Sequence, residues 1–274
     1  MINRLGVMQG RLLEPINNKI QSFPKRHWQR EFRYANKLSL KFIEWTLDYQ
    51  SLLKNPLLHR EGQKKIKFLS KQNKIKVNSI TADCIMQKPF WKNDLKRLDL
   101  LKKLKKILYE ASKLNIKYLI VPLVDNSSIK SKKQETIVLN EFKKLYSFLK
   151  KKKIQILFET DMNPEKCLNF IKKLNKNYFG INYDTGNSAS LNYNPTEEFK
   201  SYGKYIKNVH IKDRVKFGNT VPLGDGDTNF SLIAKLCKKY KYKGNFILQA
   251  ARQKNKSELD IIKEYIKFLK ENFK

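Results

Sequence analysis

The sequence predicts an α/β fold, a single (β/α)8 barrel in which eight strands are each followed by a helix. Three observations carry this prediction. Short apolar runs alternate with longer segments of helical periodicity, the pattern of a parallel sheet covered by helices. Eight such units fit the 274 residues, a length typical of one closed barrel. No change of composition and no linker divides the chain, so we expect one domain over residues 1–274.

The first four units occupy the first half of the chain. Strands are predicted at residues 4–9, 41–46, 75–81 and 117–122, and helices at residues 25–37, 56–73, 96–114 and 134–150. The third helix should present one apolar face formed by Leu98, Leu101, Leu104, Ile107 and Leu108. In the second strand Glu44 alternates with Ile43 and Trp45, so it would point into the barrel if those two pack against helices.

The last four units follow the same pattern. Strands are predicted at residues 154–158, 178–183, 206–211 and 245–248, and helices at residues 162–174, 195–205, 230–240 and 258–272. Pro164 favours the start of the first of these helices, because proline fits the first helical turn. Before the seventh helix lies the sequence GDGD, in which Gly224 and Gly226 allow the backbone to bend close to the barrel mouth.

An open, doubly wound sheet is the alternative arrangement of the same elements. Such folds commonly bind nucleotides at a glycine-rich turn after the first strand. The sequence has no GxGxxG after its first strand and no GxxxxGK[ST] anywhere. The closed barrel is therefore preferred.

The formal net charge of +33 arises from 58 Lys and Arg residues against 25 Asp and Glu residues. Most of the excess is lysine, spread over nearly every predicted helix, whereas nucleic-acid sites gather arginine and aromatic groups on one face. We therefore expect solvated helix faces and no nucleic-acid partner, with a functional surface for polyanions as the alternative left open. In either case, a positive field favours an acidic or phosphorylated small substrate.

Cysteine usage and hydropathy indicate a cytoplasmic protein. Cys84, Cys167 and Cys237 are odd in number, widely spaced and free of any CxxC pair, so neither a disulfide framework nor a cysteine zinc site is expected. The first residues, MINRLGVMQGRL, lack the long apolar region of a signal peptide. No apolar run approaches the roughly 20 residues of a membrane helix, so no membrane partner is expected.

Four of the last apolar runs stop at a side chain that can bind a metal ion. These residues are Glu159, Asp184, His210 and Gln249. Carboxylate, imidazole and neutral oxygen donors suit a divalent ion such as Mn, Co, Mg or Zn. Because the carboxyl ends of barrel strands meet on one face, these four residues could surround one ion. The alternative is four unrelated polar residues at strand ends.

Five further residues are candidates at the same mouth: Lys212 as a catalytic residue, and Arg252, Glu44, Asp83 and Arg11 as substrate-binding residues. Lys212 shares its strand face with the histidine and could bind a carboxylate, phosphate or oxyanion. Arg252 could clamp a phosphate or carboxylate through bidentate geometry, and Arg11 ends the first strand, where it could face a ligand. Asp83 follows the third strand, although as a helix cap it would need no function. Glu44, if it points inward, would need a buried partner.

Seven short motifs occur in order along the chain: GVMQGRL at 6–12, IEWT at 43–46, FETD at 158–161, NYDTGN at 182–187, VHIKDR at 209–214, PLGDGD at 222–227 and LQAAR at 248–252. With them the chain resembles the xylose isomerase-like TIM-barrel superfamily, and most closely its sugar phosphate isomerase/epimerase branch. The ordered series is specific for the superfamily and poorly specific for the substrate.

The resemblance implies one divalent ion held by Glu, Asp, His and Glu after the fifth to eighth strands. Glu159, Asp184 and His210 match the first three positions, whereas Gln249 replaces the last glutamate. In family epimerases the two glutamates act as acid and base on opposite faces of the substrate. A glutamine amide cannot accept a proton at neutral pH, so this pair is incomplete here. One-base aldose–ketose isomerisation through Glu159 remains consistent, as do a lyase or dehydratase reaction and a non-catalytic barrel.

The implied reaction begins with proton abstraction alpha to a carbonyl, and the ion stabilises the resulting enediolate. The implied partner is a small-molecule sugar or sugar phosphate, and a homo-oligomer is left open. AP endonucleases belong to the same superfamily but hold three zinc ions with many histidines. Only His210, among three histidines in total, lies in a ligand context, so nuclease activity is not expected.

Overall fold

The computed structural model describes residues 2–16, 21–249, 251–253 and 255–273. Residues 1 and 274, the ends of the predicted domain, lie outside this part, as does Ala250 of the LQAAR motif. The barrel strands are β1 Leu5–Met8, β2 Phe42–Thr46, β3 Lys76–Thr81, β4 Tyr118–Leu123, β5 Gln155–Thr160, β6 Phe179–Asp184, β7 Ile206–Ile211 and β10 Asn245–Leu248. Two further strands, β8 Asp213–Arg214 and β9 Thr220–Val221, form an antiparallel hairpin beside the barrel.

The eight barrel strands are all parallel and form a closed ring. Strand β1 pairs with β2 on one side and with β10 on the other, so no barrel strand has a free edge. This closure confirms the predicted (β/α)8 barrel and excludes the open sheet. All eight strand C-termini therefore lie on one face, where active sites of such barrels are built.

The helices follow the predicted alternation with several shifted ends. They are α1 Arg30–Lys37, α2 Arg60–Asn73, α3 Asp83–Gln87, α4 Arg97–Ser112, α5 Lys132–Lys143, α6 Tyr146–Lys152, α7 Pro164–Ile171, α8 Thr185–Ser190, α9 Pro195–Tyr202, α10 Phe230–Lys239 and α11 Glu258–Asn272. The single helix predicted at 134–150 is two helices. Among the described residues, no helix has both the length and the apolar character needed to cross a bilayer.

Most of the apolar core lies between the strands and the surrounding helices. An aromatic cluster joins β5 and β6 to helices α5 and α7 through Phe142, Phe158, Phe170 and Phe179. The prediction for α4 was wrong at one position, because Leu98 is 76% exposed whereas Leu100 is 7% exposed. At helical spacing Leu100, and not Leu98, shares the buried face with Leu104, Ile107 and Leu108.

Inside the ring, by contrast, much of the filling is polar. Ile43 and Trp45 pack into the outer core, which turns Glu44 toward the barrel axis as the alternation predicted. The fully buried side chains of Ser79, Asn208 and His210 share this interior with it. Buried polar groups require hydrogen-bond partners, and those partners define the site described below.

Candidate functional site

Three of the four predicted metal ligands converge at the mouth of the barrel. Glu159 lies near the end of β5, Asp184 ends β6, and His210 lies in β7, directly opposite Asp184 in the strand register. One donor atom from each lies within 4.8 Å of the others, and all three residues are buried. Parallel strands with these registers thus bring together side chains from three successive βα units.

His210 is held between two carboxylates. Its Nε2 lies 2.6 Å from Glu44 Oε1, and its Nδ1 lies 3.1 Å from Glu159 Oε2. Burial alone would lower the pKa of His210, but the two carboxylates raise it well above its ordinary value. An Nε2–H donated to Glu44 fixes the orientation of the ring and directs Nδ1 to the mouth, which is the usual support for a metal-binding histidine.

Two asparagines orient the carboxylate of Glu159. Asn182 Nδ2 donates to Glu159 Oε2 at 2.8 Å, and Asn187 Nδ2 donates to Oε1 at 2.9 Å. Burial would raise the pKa of Glu159, but the hydrogen bond and charge of His210 lower it overall. This carboxylate is therefore ionised at neutral pH and fixed in position.

Only one of the two carboxylate oxygens of Asp184 accepts a hydrogen bond within the described residues. Oδ1 accepts the backbone N–H of Asn187 at 2.7 Å and so caps helix α8. Oδ2 is buried without a hydrogen-bond partner in the described part of the chain, and its nearest cation is Lys212 Nζ at 3.6 Å. Burial raises the pKa of Asp184, although the lysine opposes that effect.

Gln249 follows β10 on the same face. Its backbone N–H donates to Ile211 O at 3.0 Å, which continues the β7–β10 pairing by one residue. Its side-chain Oε1 is buried and has no hydrogen-bond partner among the described residues. A buried acceptor left in this state costs about 1–3 kcal/mol, so an ion or ligand that it could bind would relieve that cost.

A second polar layer lies beneath the ligands. Asn208 Nδ2 donates to Glu44 Oε2 at 3.0 Å and to Asn182 Oδ1 at 2.8 Å. These bonds link Glu44, at one side of the interior, to the asparagine that holds Glu159. The structure therefore places Glu44 below the ligand group, where it supports His210, rather than at the open mouth with a substrate.

Asn187 connects the site to two cations that follow β7. Its Oδ1 accepts from Lys212 Nζ at 3.3 Å and from Arg214 Nη1 at 3.0 Å. The sequence pointed to Lys212 but assigned no role to Asn187 or Arg214. The sequence held part of the information needed to find Asn187, because it stands three residues after Asp184, an aspartate that can cap a helix.

Asp213 organises the loop that was predicted to bend close to the mouth. Its fully buried carboxylate accepts the backbone N–H groups of Gly224, Gly226 and Thr228 at 2.8, 3.1 and 3.1 Å. Gly226 is required here, because a Cβ at that position would lie 2.3 Å from Asp213 Oδ1.

Asp83 and Arg11 are both buried on the same side of the barrel. Asp83 is the first residue of α3, and burial and the charge of Asp48 raise its pKa well above the ordinary value. Arg11 Nε donates to Gln21 at 3.1 Å. Burial and the nearby charge of Arg252 lower the pKa of Arg11 to about 10.

Arg252 ties the first βα unit to the last. Its guanidinium donates to Gly10 O at 2.6 Å and to Leu13 O at 2.9 Å, and it pairs with Glu258 at 2.6 Å. These contacts favour a role in holding the loop after β1 over the predicted clamp on a substrate. Glu31 holds the same loop from α1, because its carboxylate accepts the backbone N–H of Gly10 at 2.6 Å.

Known proteins share this fold over the whole chain. A sequence model of the family described as xylose isomerase-like TIM barrel matches residues 32–272. D-psicose 3-epimerase with D-tagatose from Clostridium cellulolyticum H10 is 12% identical, with a TM-score of 0.78 over 99% of each chain. The 3-keto-D-glucoside 4-epimerase from E. coli is 14% identical, with a TM-score of 0.70 over 98% of this chain and 99% of the other.

A third structure carries a metal ion. It is a xylose isomerase-like TIM barrel protein from Mycobacterium smegmatis in complex with magnesium, 15% identical, with a TM-score of 0.69 over 98% of this chain and 97% of the other. No curated protein sequence matches the chain significantly. Because the family's sequence model spans most of the chain and the barrel agrees with it, this protein belongs to the xylose isomerase-like TIM-barrel family.

Proposed function

We propose that this chain is a divalent-metal-dependent isomerase or epimerase of a sugar or sugar phosphate. The observation that carries the proposal is the group of Glu159, Asp184 and His210, whose donor atoms lie within 4.8 Å of one another at the barrel mouth. Two of the similar structures are sugar epimerases and a third holds magnesium, which supports both the chemistry and the metal dependence.

The residues present fit a divalent ion. Asp184 Oδ2 and Gln249 Oε1 are buried acceptors without hydrogen-bond partners in the described residues, His210 Nδ1 lies 3.1 Å from Glu159 Oε2, and Glu159 adds a second carboxylate. This set suits Mn, Co, Mg or Zn. When bound, the ion would act as a Lewis acid toward the carbonyl and hydroxyl oxygens of the substrate and favour an enediolate.

Glu159 would remove the proton alpha to the carbonyl. Its lowered pKa keeps it ionised, and Asn182 and Asn187 hold it in one orientation, as a positioned base requires. Lys212 would donate to a substrate oxyanion from the neighbouring strand end, since its Nζ lies next to both Asp184 and Asn187.

Gln249 cannot return a proton, so the second half of the reaction needs another donor. One-base isomerisation would use Glu159 for both transfers. Asp83 offers a second source, because burial raises its pKa well above the ordinary value and so favours the protonated carboxyl. Such an acid could also protonate a departing hydroxyl, which makes a lyase or dehydratase reaction on a keto-polyol the second candidate.

Solvent exchange tests the proposal directly. The protein, loaded in turn with Mn, Co, Mg or Zn, is incubated in D2O with free and phosphorylated ketoses, and loss of the alpha C–H signal is followed by NMR. We expect Glu159→Gln to slow exchange by about 10²–10⁴-fold and the exposed Glu165→Gln control to leave it unchanged. Exchange that survives in Glu159→Gln, or a metal-loaded wild type that exchanges none of these sugars, would refute the proposal.

A further inference from the structure

Two positive charges meet on the β7 side of the barrel mouth. Lys212 Nζ lies 3.3 Å from Asn187 Oδ1, and Arg214 Nη1 lies 3.0 Å from the same oxygen. Both cations are partly exposed, whereas Asn187 is buried. The amide nitrogen of Asn187 donates to Glu159 Oε1 at 2.9 Å. One buried amide therefore stands between the proposed base and two cations, and a single small anion could contact both of them.

Arg214 forms no ion pair in the described part of the chain. Its guanidinium donates there to two neutral oxygens, Asn187 Oδ1 and Gly218 O, and the latter lies 3.1 Å from Nε and 2.8 Å from Nη2. The adjacent Asp213 turns its carboxylate away, to backbone N–H groups within residues 224–228. These bonds use three of the five guanidinium N–H groups, so within the described residues two remain for a ligand.

Lys212 has its counter-charge in a proposed metal ligand. The one ion pair of this lysine among the described residues joins Nζ to Asp184 Oδ2 at 3.6 Å. In the proposed function Asp184 and Glu159 face a divalent ion, whose charge offsets both carboxylates. Lys212 and Arg214 would then form an unneutralised positive pair beside the base. Like charges at short range in a partly buried site repel each other, so an anion between them would be stabilised.

Packing fixes the stems of both cations. Gly186 lies in the first turn of α8, where a Cβ would come within 2.8 Å of Lys212 Cγ and 3.1 Å of Arg214 Cγ. Glycine therefore lets α8 pack closely against both side chains. On the other side, two bonds to Gly218 O hold the guanidinium plane in the hairpin. The positive groups are thus preorganised, which lowers the entropy cost of binding a ligand.

We propose that Arg214 and Lys212 bind an anionic group of the substrate, a phosphate or a carboxylate, at its end away from the carbon that Glu159 deprotonates. The inference rests on the proposed function and narrows its substrate to an acidic sugar derivative. A guanidinium matches both groups through its paired N–H donors, and the ammonium adds a point charge. The anionic group lies away from the reacting carbon because Asn187 separates the base from the cations.

This assignment differs from the clamp that the sequence suggested. Arg252 pairs with Glu258 at 2.6 Å and donates to backbone oxygens of the loop after β1. Its charge is therefore balanced by a carboxylate and engaged in holding that loop. Arg214 follows β7, and its bonds within the described residues are to neutral oxygens alone. The charge of the substrate should therefore be recognised from β7 and not from the last strand.

Binding of inorganic phosphate tests the site without turnover. The wild type, Arg214→Gln and Lys216→Gln are each loaded with Mg and titrated with phosphate by isothermal titration calorimetry, and acetate is titrated in the same way as a carboxylate probe. Lys216→Gln is the matched control, because Lys216 is exposed, lies two residues further along the same hairpin and loses the same charge. Lys212→Gln is a second test variant, since it leaves the bonds to Gly218 intact.

We expect Arg214→Gln and Lys212→Gln to bind phosphate about 10–100-fold more weakly than the wild type, because each loses a charge-assisted contact. Lys216→Gln should stay within about 2-fold. Equal affinity in all variants, which contact with the ion alone would produce, would overturn the proposal, as would a wild type that binds neither probe. Tighter binding of acetate than of phosphate would support the site with a carboxylate as its ligand, and the reverse order would support it with a phosphate. If Arg214→Gln does not fold, Lys212→Gln decides alone.

Deuterium exchange separates this inference from the proposed function. If the inference holds, phosphorylated ketoses or sugar acids exchange their alpha proton faster than free ketoses do, and Arg214→Gln raises KM for the acidic sugar more than it lowers kcat. A free ketose that exchanges as fast as its phosphate would overturn the anion site and leave the proposed function standing. Phosphate binding that depends on Arg214, with no sugar exchanging, would instead support the anion site and refute the isomerase or epimerase activity.

Discussion

At the mouth of the barrel, each ligand residue uses one atom to build the site and presents another to the opening. Asp184 caps α8 with Oδ1 and leaves Oδ2 without a partner. His210 contacts Glu44 through Nε2 and directs Nδ1 toward Glu159. Because the structural bonds are already made, the free atoms are fixed before any ligand arrives, which is the arrangement that a preorganised site requires.

Replacing Asp184 by Asn separates these two roles. The amide oxygen can still cap α8, and the uncompensated buried carboxylate is gone. We expect the metal-free variant to melt no lower than the wild type, while affinity for Mn or Zn falls by at least ~10-fold. Differential scanning calorimetry and isothermal titration calorimetry measure the two effects.

Asp184→Ala is the control for the cap, because it removes Oδ1 as well. It should be less stable than the Asn variant by about 1 kcal/mol. An Asn variant that melts below the Ala variant would contradict the assigned division between the two oxygens.

Glu44 contacts His210, the proposed metal ligand, from below, and its replacement tests that support. Glu44→Gln removes the carboxylate that fixes the His210 ring, so we expect metal affinity to fall by about 10–100-fold. Ser79 pairs with Glu44 in the register and is equally buried, with an Oγ that has no partner in the described residues. Ser79→Ala should therefore bind metal like the wild type. Equal losses in both variants would indicate general repacking of the barrel interior.

Strands and long helices were predicted closely, whereas short elements were not. Apolar runs bounded by polar residues mark the strands, so their ends moved by only a residue or two. Helix α8 was predicted as a loop, because TGNSAS has no apolar periodicity and is helical only where Asp184 caps it. The hairpin of β8 and β9 has two residues in each strand, too few for an alternating pattern.

The same contrast holds for the site. Glu159, Asp184 and His210 could be placed together because strand ends converge in any parallel barrel. The inward position of Asn208 could also have been predicted, because it lies two residues before His210 in the same strand, although the sequence analysis did not name it. The meeting of Asn187 with Arg214 depends on the path of a loop and on a helix that sequence periodicity does not show.

Helix α1 contributes the buried acid Glu31. Its protonation should make the stability of the protein depend on pH. Burial raises the pKa of Glu31 from 4.5 to about 8. Between these values the folded protein holds a proton that the unfolded chain releases, so the free energy of unfolding should fall as pH rises through this window. We expect Glu31→Gln to make that slope shallower by the contribution of this one group and to be the more stable protein above about pH 8.

Urea denaturation at several pH values measures this linkage. The exposed Glu61→Gln, on α2, serves as the control and should keep the slope of the wild type. A wild type whose stability is flat between the two pKa values, or rises there, would contradict the buried, protonated state of Glu31.

The molecule as a whole combines an interior that buries several carboxylates with a strongly cationic exterior. The pairing of β1 with β10 closes the ring of strands, and Arg252 joins the loop after β1 to the start of α11. Outside that ring, a net charge of +33 makes the compact state repel itself. The barrel must therefore derive its stability from the apolar layer between strands and helices, with surface electrostatics opposing it.

Added salt should consequently stabilise the protein. Screening of like charges should raise the melting temperature by roughly 2–4 °C between low and moderate KCl, which corresponds to ~1 kcal/mol in a chain of this size. A variant with Lys102→Glu, Lys133→Glu, Lys235→Glu and Lys263→Glu, all at exposed helix positions, is lower in charge by eight and should show a smaller rise. A melting temperature that falls with KCl would mean that attractive surface pairs dominate the balance.

The mixed donors at the mouth bear on which metal ion the protein would carry in a cell. If these two carboxylates, the imidazole and the amide oxygen hold an ion as proposed, they would accept several first-row ions in the general order of their affinities and select none by geometry alone. Occupancy would then follow supply, so preparations from manganese-fed and zinc-fed cultures should carry different ions in the same protein. Nutrient status, through the ion it delivers, would decide how active each molecule is.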